Sequence, residues 1–343
     1  MTAARLCIVR QSTTEEETMT EQKIEPGIYF GMPEEIYHAA PWVGSSMMKL
    51  LYSSPPDFWH ESPMNPLHEP ETPSFAFQFG SALHSRVLYG EERFKRDFEF
   101  VEEDGDTVSA EGLKKWITEA GGKPHKLKAD NEKMVREDMG RKLLTRAVYD
   151  KVMISAQMIT KNPHLAAAFV GGWPEVSIFW EQDGVPCKAR LDYLRMRTIV
   201  DLKSFRSKDR IRTIDEWIMQ DLFNYRYDVQ VAHYQNGHRA ARQFVEDGRV
   251  FGVGAAPQPD NDWLRKAFDK EVGWTFIFYK ADGMPISKSY QIAWGSPAHE
   301  SGKAAVRTAL ANYADNLAKF GTDAWVNTDE PYPIDDHDLP KWL

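Results

Sequence analysis

Between residues 175 and 204 the chain alternates apolar and polar positions in three successive runs, and each run carries a carboxylate. The first, Glu175-Val-Ser-Ile-Phe-Trp-Glu-Gln, reads as a half-buried strand, because strand side chains point to opposite faces with a period of two. Asp183-Gly184 supplies the residues a tight hairpin turn needs, so the second run (residues 187–194) returns antiparallel to the first. The third run, residues 198–204, contains Asp201-Leu202-Lys203 behind the apolar pair Ile199-Val200. Consecutive strands of this kind require a sheet whose faces other elements cover.

The flanking sequence supplies those elements. A helical stretch is expected over residues 213–247, and an amphipathic helix over 298–319 has Ala305, Leu310, Tyr313 and Leu317 at helical spacing. Further strands are expected at 250–255, 274–280 and 290–294. Before the strand trio, residues 141–169 read as helical, as does the segment Phe79-Gly-Ser-Ala-Leu-His84-Ser-Arg-Val-Leu88, which has small residues on one face. Ser45-Ser46 can cap a helix through Met47, Leu50 and Leu51. The expected fold is α/β, a mixed central sheet flanked by helices, in a single domain over residues 24–343 with a helical N-terminal part. Residues 101–140 are charged and glycine-punctuated, which suggests a surface insertion with a helix near 110–120. Residues 1–23 read as a disordered polar tail. Met19 is an alternative start, so either Met1 or Met19 fits the true N-terminus.

Several function classes drop out on composition. No apolar run approaches the ~20 residues of a membrane helix, and the N-terminus lacks the pattern of a secretory signal, so a cytoplasmic protein is expected. Two cysteines, Cys7 and Cys187, cannot build a disulfide framework or a four-thiolate metal site within one chain. A net charge of -9 argues against a protein that coats nucleic acid, but not against an enzyme with one local basic groove.

Asp201 and Lys203 are two apart in a strand and share a face, while Leu202 faces the core and leaves its carbonyl available as a hard oxygen donor. Asp192, on the neighbouring strand, can reach the same end of the sheet. Two carboxylates and a carbonyl suit Mg²⁺ or Mn²⁺, and an adjacent ammonium can orient a water and offset charge on a phosphate. The same triplet also occurs as a plain surface ion pair, so the spacing alone does not decide. Gln230 and Tyr234, four apart on one helix face, can contact DNA or brace the strands; they also fit an ordinary half-buried helix. His84 can complete a carboxylate metal site, although a lone helical histidine is commonly structural.

Taken in order, Gly80-x-x-x-His84, Glu175, Asp192, Asp201-Leu202-Lys203 and Gln230-x-x-x-Tyr234 resemble the PD-(D/E)XK nuclease superfamily. The opening phrase Gly27-Ile-Tyr-Phe-Gly-Met-Pro-Glu-Glu-Ile-Tyr-His38, then Ser45-Ser46 and Ser54-Pro55, is similar to the phage and prophage RecE-like (exonuclease VIII) group. The resemblance spans about residues 27–290, and its specificity lies in the combination. Asp201 stands where glutamate is also found, and Ser204 where threonine is frequent.

The resemblance implies residue roles. Asp192, Asp201 and the Leu202 carbonyl would hold Mg²⁺, with Mn²⁺ able to substitute, and His84 would be a further ligand. Lys203 would position the attacking water or stabilise the transition state, and Gln230 and Tyr234 would support the site and the DNA. Glu175 would bind a second metal or back up the first site. It further implies 5′-to-3′ digestion of linear double-stranded DNA from its ends for recombination by single-strand annealing, a homo-oligomeric ring such as a tetramer, whose subunit number these residues do not set, and a RecT-like annealing partner. The iron–sulfur cluster of some relatives cannot be built from two cysteines, so none is expected. Residues 186–212 carry nine basic against three acidic side chains. Arg206, Lys208, Arg210 and Arg212 are therefore candidates for phosphate contacts, or form an ordinary solvated loop. An endonuclease or flap nuclease of the same fold, or a non-catalytic DNA-binding assembly protein, are the competing functions.

Overall fold

A computed structural model of the chain describes residues 5–7, 21–68, 75–100, 135–136, 141–144, 146–209, 211–254, 256–281, 283–328 and 330. The expected insertion at 101–140 lies outside these residues apart from 135–136. The expected tail lies outside them too, except that Arg5–Cys7 and Glu21–Lys23 pair as a short antiparallel ladder.

The strand trio is present: β2 (Trp173–Gln182), β3 (Val185–Leu194) and β4 (Thr198–Phe205). With β1 (Gly27–Phe30), β5 (Val250–Gly252), β6 (Gly273–Lys280) and β7 (Ser287–Gln291) they form a seven-stranded mixed sheet, in the order β5-β1-β2-β3-β4-β6-β7. β5–β1 and β4–β6 are parallel and the other neighbours antiparallel. A parallel β4–β6 pair requires a crossover, which three helices provide: α4 (Ile214–Asn224), α5 (Tyr227–Glu246) and α6 (Asn261–Phe268). The remaining main helices are α1 (Ser45–Ser53), α2 (Phe75–His84), α3 (Arg146–Lys161) and α7 (Pro297–Phe320).

The sheet is buried on both faces, and β4 shows how. Ile199 and Phe205 join one core with Trp180, Leu191, Phe276, Val229 of α5 and Ala309 of α7. Val200 and Leu202 point the other way, into a second core with Tyr193, Ile277, Phe79 and Leu83 of α2 and Val152 of α3. Each fully buried side chain of this size contributes about 1.5–3 kcal/mol of transfer free energy. Two glycines set how closely α5 packs. A Cβ at Gly237 would lie 2.6 Å from the Trp180 ring, and one at Gly302 of α7 would lie 2.1 Å from the Asp228 carbonyl oxygen.

Several boundaries depart from the sequence reading. The expected helix over 213–247 is two helices, because Arg226 adopts a left-handed conformation (φ 48°) and its guanidinium forks onto Asp228 with two 2.9 Å hydrogen bonds. Residues 141–144 form a strand, so helix begins only at Arg146. The last strand is Ser287–Gln291, set by antiparallel pairing with β6, and β5 stops at Gly252. Helix α2 starts at Phe75 and runs into a π-helical turn, Ser85–Tyr89. Gly44, not Ser45, occupies the N-cap of α1. Among the described residues no helix is long and apolar enough to cross a membrane.

Candidate active site

The β3–β4 ladder is short. Tyr193 pairs with Val200 and Leu194 with Ile199, and beyond them the strands part. On its other edge β4 stays paired with β6 over its whole length. At the opening, the Leu202 N–H donates to Asp192 Oδ2 at 2.8 Å, so a carboxylate takes the place of a strand partner. The N–H and C=O of one strand residue point the same way in the sheet plane, so the Leu202 carbonyl also faces the gap.

A second irregularity flanks the first. β2 and β3 keep one register from Trp173↔Leu194 to Gln182↔Val185, yet Glu175 and Asp192 face each other without pairing. Glu175 has φ 48°, a left-handed conformation that non-glycine residues adopt at a cost of about 1–2 kcal/mol. The inward-facing side changes there. Val176 and Leu191 lie in the first core, Tyr193 in the second, and Leu194 again in the first. This kink releases Asp192 from the regular alternation.

Asp201 is buried beneath the gap. Gln230 of α5 donates to its Oδ1 at 2.8 Å, and Lys203 Nζ lies 2.7 Å from its Oδ2. Oδ2 nevertheless accepts no well-directed hydrogen bond, so at that oxygen Lys203 provides ion-pair proximity without completing the coordination. Burial raises the Asp201 carboxyl to about 6; Lys203 opposes this and Asp192 adds to it. Burial works against charge on Lys203, but Asp201 and Asp192 outweigh it and hold its pKa above the usual lysine value. Asp201 and Asp192 thus favour the ammonium form of Lys203.

The other residues singled out in the sequence take different places. His84 ends α2, where the helix loosens into the π turn, and its Nδ1 lies 3.8 Å from Asp192 Oδ2. π turns recur at functional sites. Tyr234 is buried, within hydrogen-bonding reach of Ser45 and Tyr37, and burial pushes its hydroxyl up to about 12. It bridges α1 and α5. Glu175 accepts from Tyr89 (2.8 Å) and Arg190 (2.6 Å) through the same oxygen. Burial works against its charge, but these partners keep its carboxyl below the ordinary range. Arg190 also donates to the Met32 carbonyl at 2.8 Å.

In the basic loop, Arg206, Lys208 and Arg212 are exposed, and Arg210 lies outside the described residues. Lys208 sits 3.7 Å from Asp221, and Arg212 donates to Gln220 at 3.0 Å and lies 4.8 Å over the Trp217 ring. Both lean on α4. The structure adds residues that spacing could not reveal. Tyr227, at the start of α5, lies under the Lys203 ammonium (5.2 Å to the ring centroid), and Lys49 of α1 lies over the same ring. Tyr227 follows the helix break, which the apolar pattern does not mark.

The donor types suit a hard divalent cation: His84, Asp192, Asp201 and the Leu202 carbonyl converge on one opening. The buried Asp201 Oδ2 without a directed donor and the mutual repulsion of the two aspartates are what such a cation relieves. Among the described residues, however, no group of three His, Cys, Asp or Glu side chains is already drawn to metal-binding distance. Asp201 and Asp192 are instead engaged by Lys203 and by the Leu202 N–H.

Comparison with known proteins agrees with this architecture. A solved structure described as a candidate exonuclease from Eubacterium rectale is similar over 92% of this chain and 100% of that chain, at 15% identity and a TM-score of 0.51, a likeness of fold. No curated protein matches in sequence. The profile of a PDDEXK-like domain of unknown function (DUF3799) matches residues 44–251. This stretch includes His84, Glu175, Asp192, Asp201, Lys203, Gln230 and Tyr234, and with it the chain belongs to that family of the PD-(D/E)XK nuclease superfamily.

Proposed function

We propose that this chain is a divalent-metal-dependent deoxyribonuclease, acting as a RecE-like 5′-to-3′ exonuclease on the ends of linear double-stranded DNA. The observation that carries the nuclease reading is the parted β3–β4 ladder, where Asp192 caps the Leu202 N–H beside the buried Asp201–Lys203 pair. Asp192, Asp201, the Leu202 carbonyl and His84 would hold Mg²⁺, with Mn²⁺ as a substitute. When bound, the cation supplies Lewis acidity toward a phosphoryl oxygen and a water of lowered pKa. The chain's own groups do the rest. Lys203 carries positive charge toward oxygens that gain negative charge as the phosphodiester bond breaks. Gln230 fixes the orientation of Asp201, and Tyr234 fixes α1 over the site. Glu175, paired with Arg190 and hydrogen-bonded by Tyr89, supports the kink that frees Asp192.

The exonuclease polarity, a ring-shaped homo-oligomer and a RecT-like annealing partner rest on resemblance to the RecE-like group. The experiment compares linear and covalently closed circular duplex DNA of one sequence in Mg²⁺, with the 5′ or 3′ end labelled on the linear form. The reading expects loss of linear DNA only, with early release of the 5′ label. Equal digestion of circles would replace it with an endonuclease.

A further inference from the structure

Lys49 has no place in the machinery described so far, yet it lies against it. Its Nζ is 5.1 Å from the centroid of the Tyr227 ring, and Lys203 Nζ is 5.2 Å from the same centroid. Two ammonium groups thus share one aromatic ring beside the gap. The acids that act on Lys49 already have closer partners: Asp201 pairs with Lys203 at 2.7 Å and Asp228 with Arg226 at 2.9 Å. Among the described residues Lys49 makes no ion pair of its own. Burial and then the nearby Lys203 bring its ammonium down to about 8, the condition of a cation that lacks a counter-ion. A surface lysine that only covers apolar area would carry its head into water, away from another cation.

We propose that Lys49 and Lys203, over the shared Tyr227 ring, form a two-cation subsite for a phosphate of the DNA strand being cut. The inference rests on the nuclease reading and deepens it by assigning a substrate-positioning residue. An anion at this place satisfies the unpaired ammonium and offsets the lysine–lysine repulsion. A backbone phosphate is the anion that a DNA strand entering the gap presents. Lys203 faces the aspartates, whereas Lys49 comes from α1 on the N-terminal side of the site, so it would grip the strand next to the reacting group.

The test measures Mg²⁺-dependent digestion of linear duplex DNA by the full chain over a salt series, for wild type, Lys49→Met and Lys49→Arg. Methionine keeps the stem on Tyr227 and removes the charge; arginine keeps the charge. The expectation for Lys49→Met is a KM raised about tenfold, kcat within about twofold, and a salt slope reduced by about one. Lys49→Arg should recover most of the loss. An unchanged KM and slope in Lys49→Met, or a loss that arginine does not repair while the melting temperature is held, would overturn the subsite alone. If Lys49→Met unfolds, Lys49→Gln takes its place under the same criteria. No digestion by wild type would overturn the nuclease reading, and the subsite with it.

Discussion

Replacing Gln230 with leucine isolates the contact that couples α5 to the buried aspartate. Gln230 Nε2 donates at 2.8 Å to Asp201 Oδ1, and both groups are out of water. A hydrogen bond to a charged group contributes about 1.5–3 kcal/mol, and one pKa unit corresponds to about 1.4 kcal/mol. Removing the donor while keeping the apolar bulk therefore raises the Asp201 carboxyl by roughly one to two units above the present value of about 6. Protons then compete with the cation for Asp201 over a higher pH range. The expected result is an acid limb of the pH–rate profile displaced upward by about one unit or more, so that the variant loses most at pH 6.5 and least at pH 8.5. The assay is the initial rate of linear duplex digestion at fixed, subsaturating Mg²⁺ across pH 5.5–9. A rate lowered by one factor at every pH would refute the reasoning, because it would place Gln230 outside the charge balance of Asp201.

Other perturbations separate structural from chemical roles. Arg190→Met leaves the Glu175 carboxylate buried with Tyr89 as its remaining donor, which should cost about 3–5 kcal/mol in denaturant unfolding; an effect under 1 kcal/mol would mean the pair is effectively solvated. Gly302→Ala pushes a methyl group into the Asp228 carbonyl oxygen, at 2.1 Å in the present packing, and should destabilise by at least ~1–3 kcal/mol as α7 moves off α5; unchanged stability would contradict the close approach. His233 and His238 are buried on backbone carbonyls, and burial lowers both to about 4. Their folded values lie below the unfolded value of about 6.5, so stability is full above that pH. It should fall by a few kcal/mol as pH drops toward 4, and a flat profile of unfolding free energy between pH 6.5 and 4.5 would contradict their neutral burial.

Strand signals in this chain come from local chemistry, which is why the trio was readable. The alternation at 175–182, the Asp183-Gly184 turn and the apolar Ile199-Val200 pair each act within a few residues. The shared face of Asp201 and Lys203 follows from strand geometry, and the 2.7 Å ion pair agrees with it. What escaped the sequence depends on partners distant along the chain. For Glu175 the sequence leaves a second metal and a supporting role both open, because its partners Tyr89, 86 positions away, and Arg190 carry no local signal. The expected single helix over 213–247 gave way at Arg226, where the Asp228 fork outweighed a continuous helical pattern. Lys49 carried no signal, because its meaning arises only when α1 packs over Tyr227. The basic loop was legible as charge, but not as side chains leaning on Trp217 and Asp221.

The most direct test of the site removes one carboxylate and one cation together. Linear duplex DNA is incubated with wild type and with Asp201→Ala, each stripped of metal and then supplied with Mg²⁺ or left in chelator. The account predicts nucleotide release from wild type only when Mg²⁺ is present, and a fall of at least about a thousandfold in Asp201→Ala with the fold retained. Release that persists in chelator, or that survives in Asp201→Ala, would contradict a metal-dependent centre at the parting of β3 and β4.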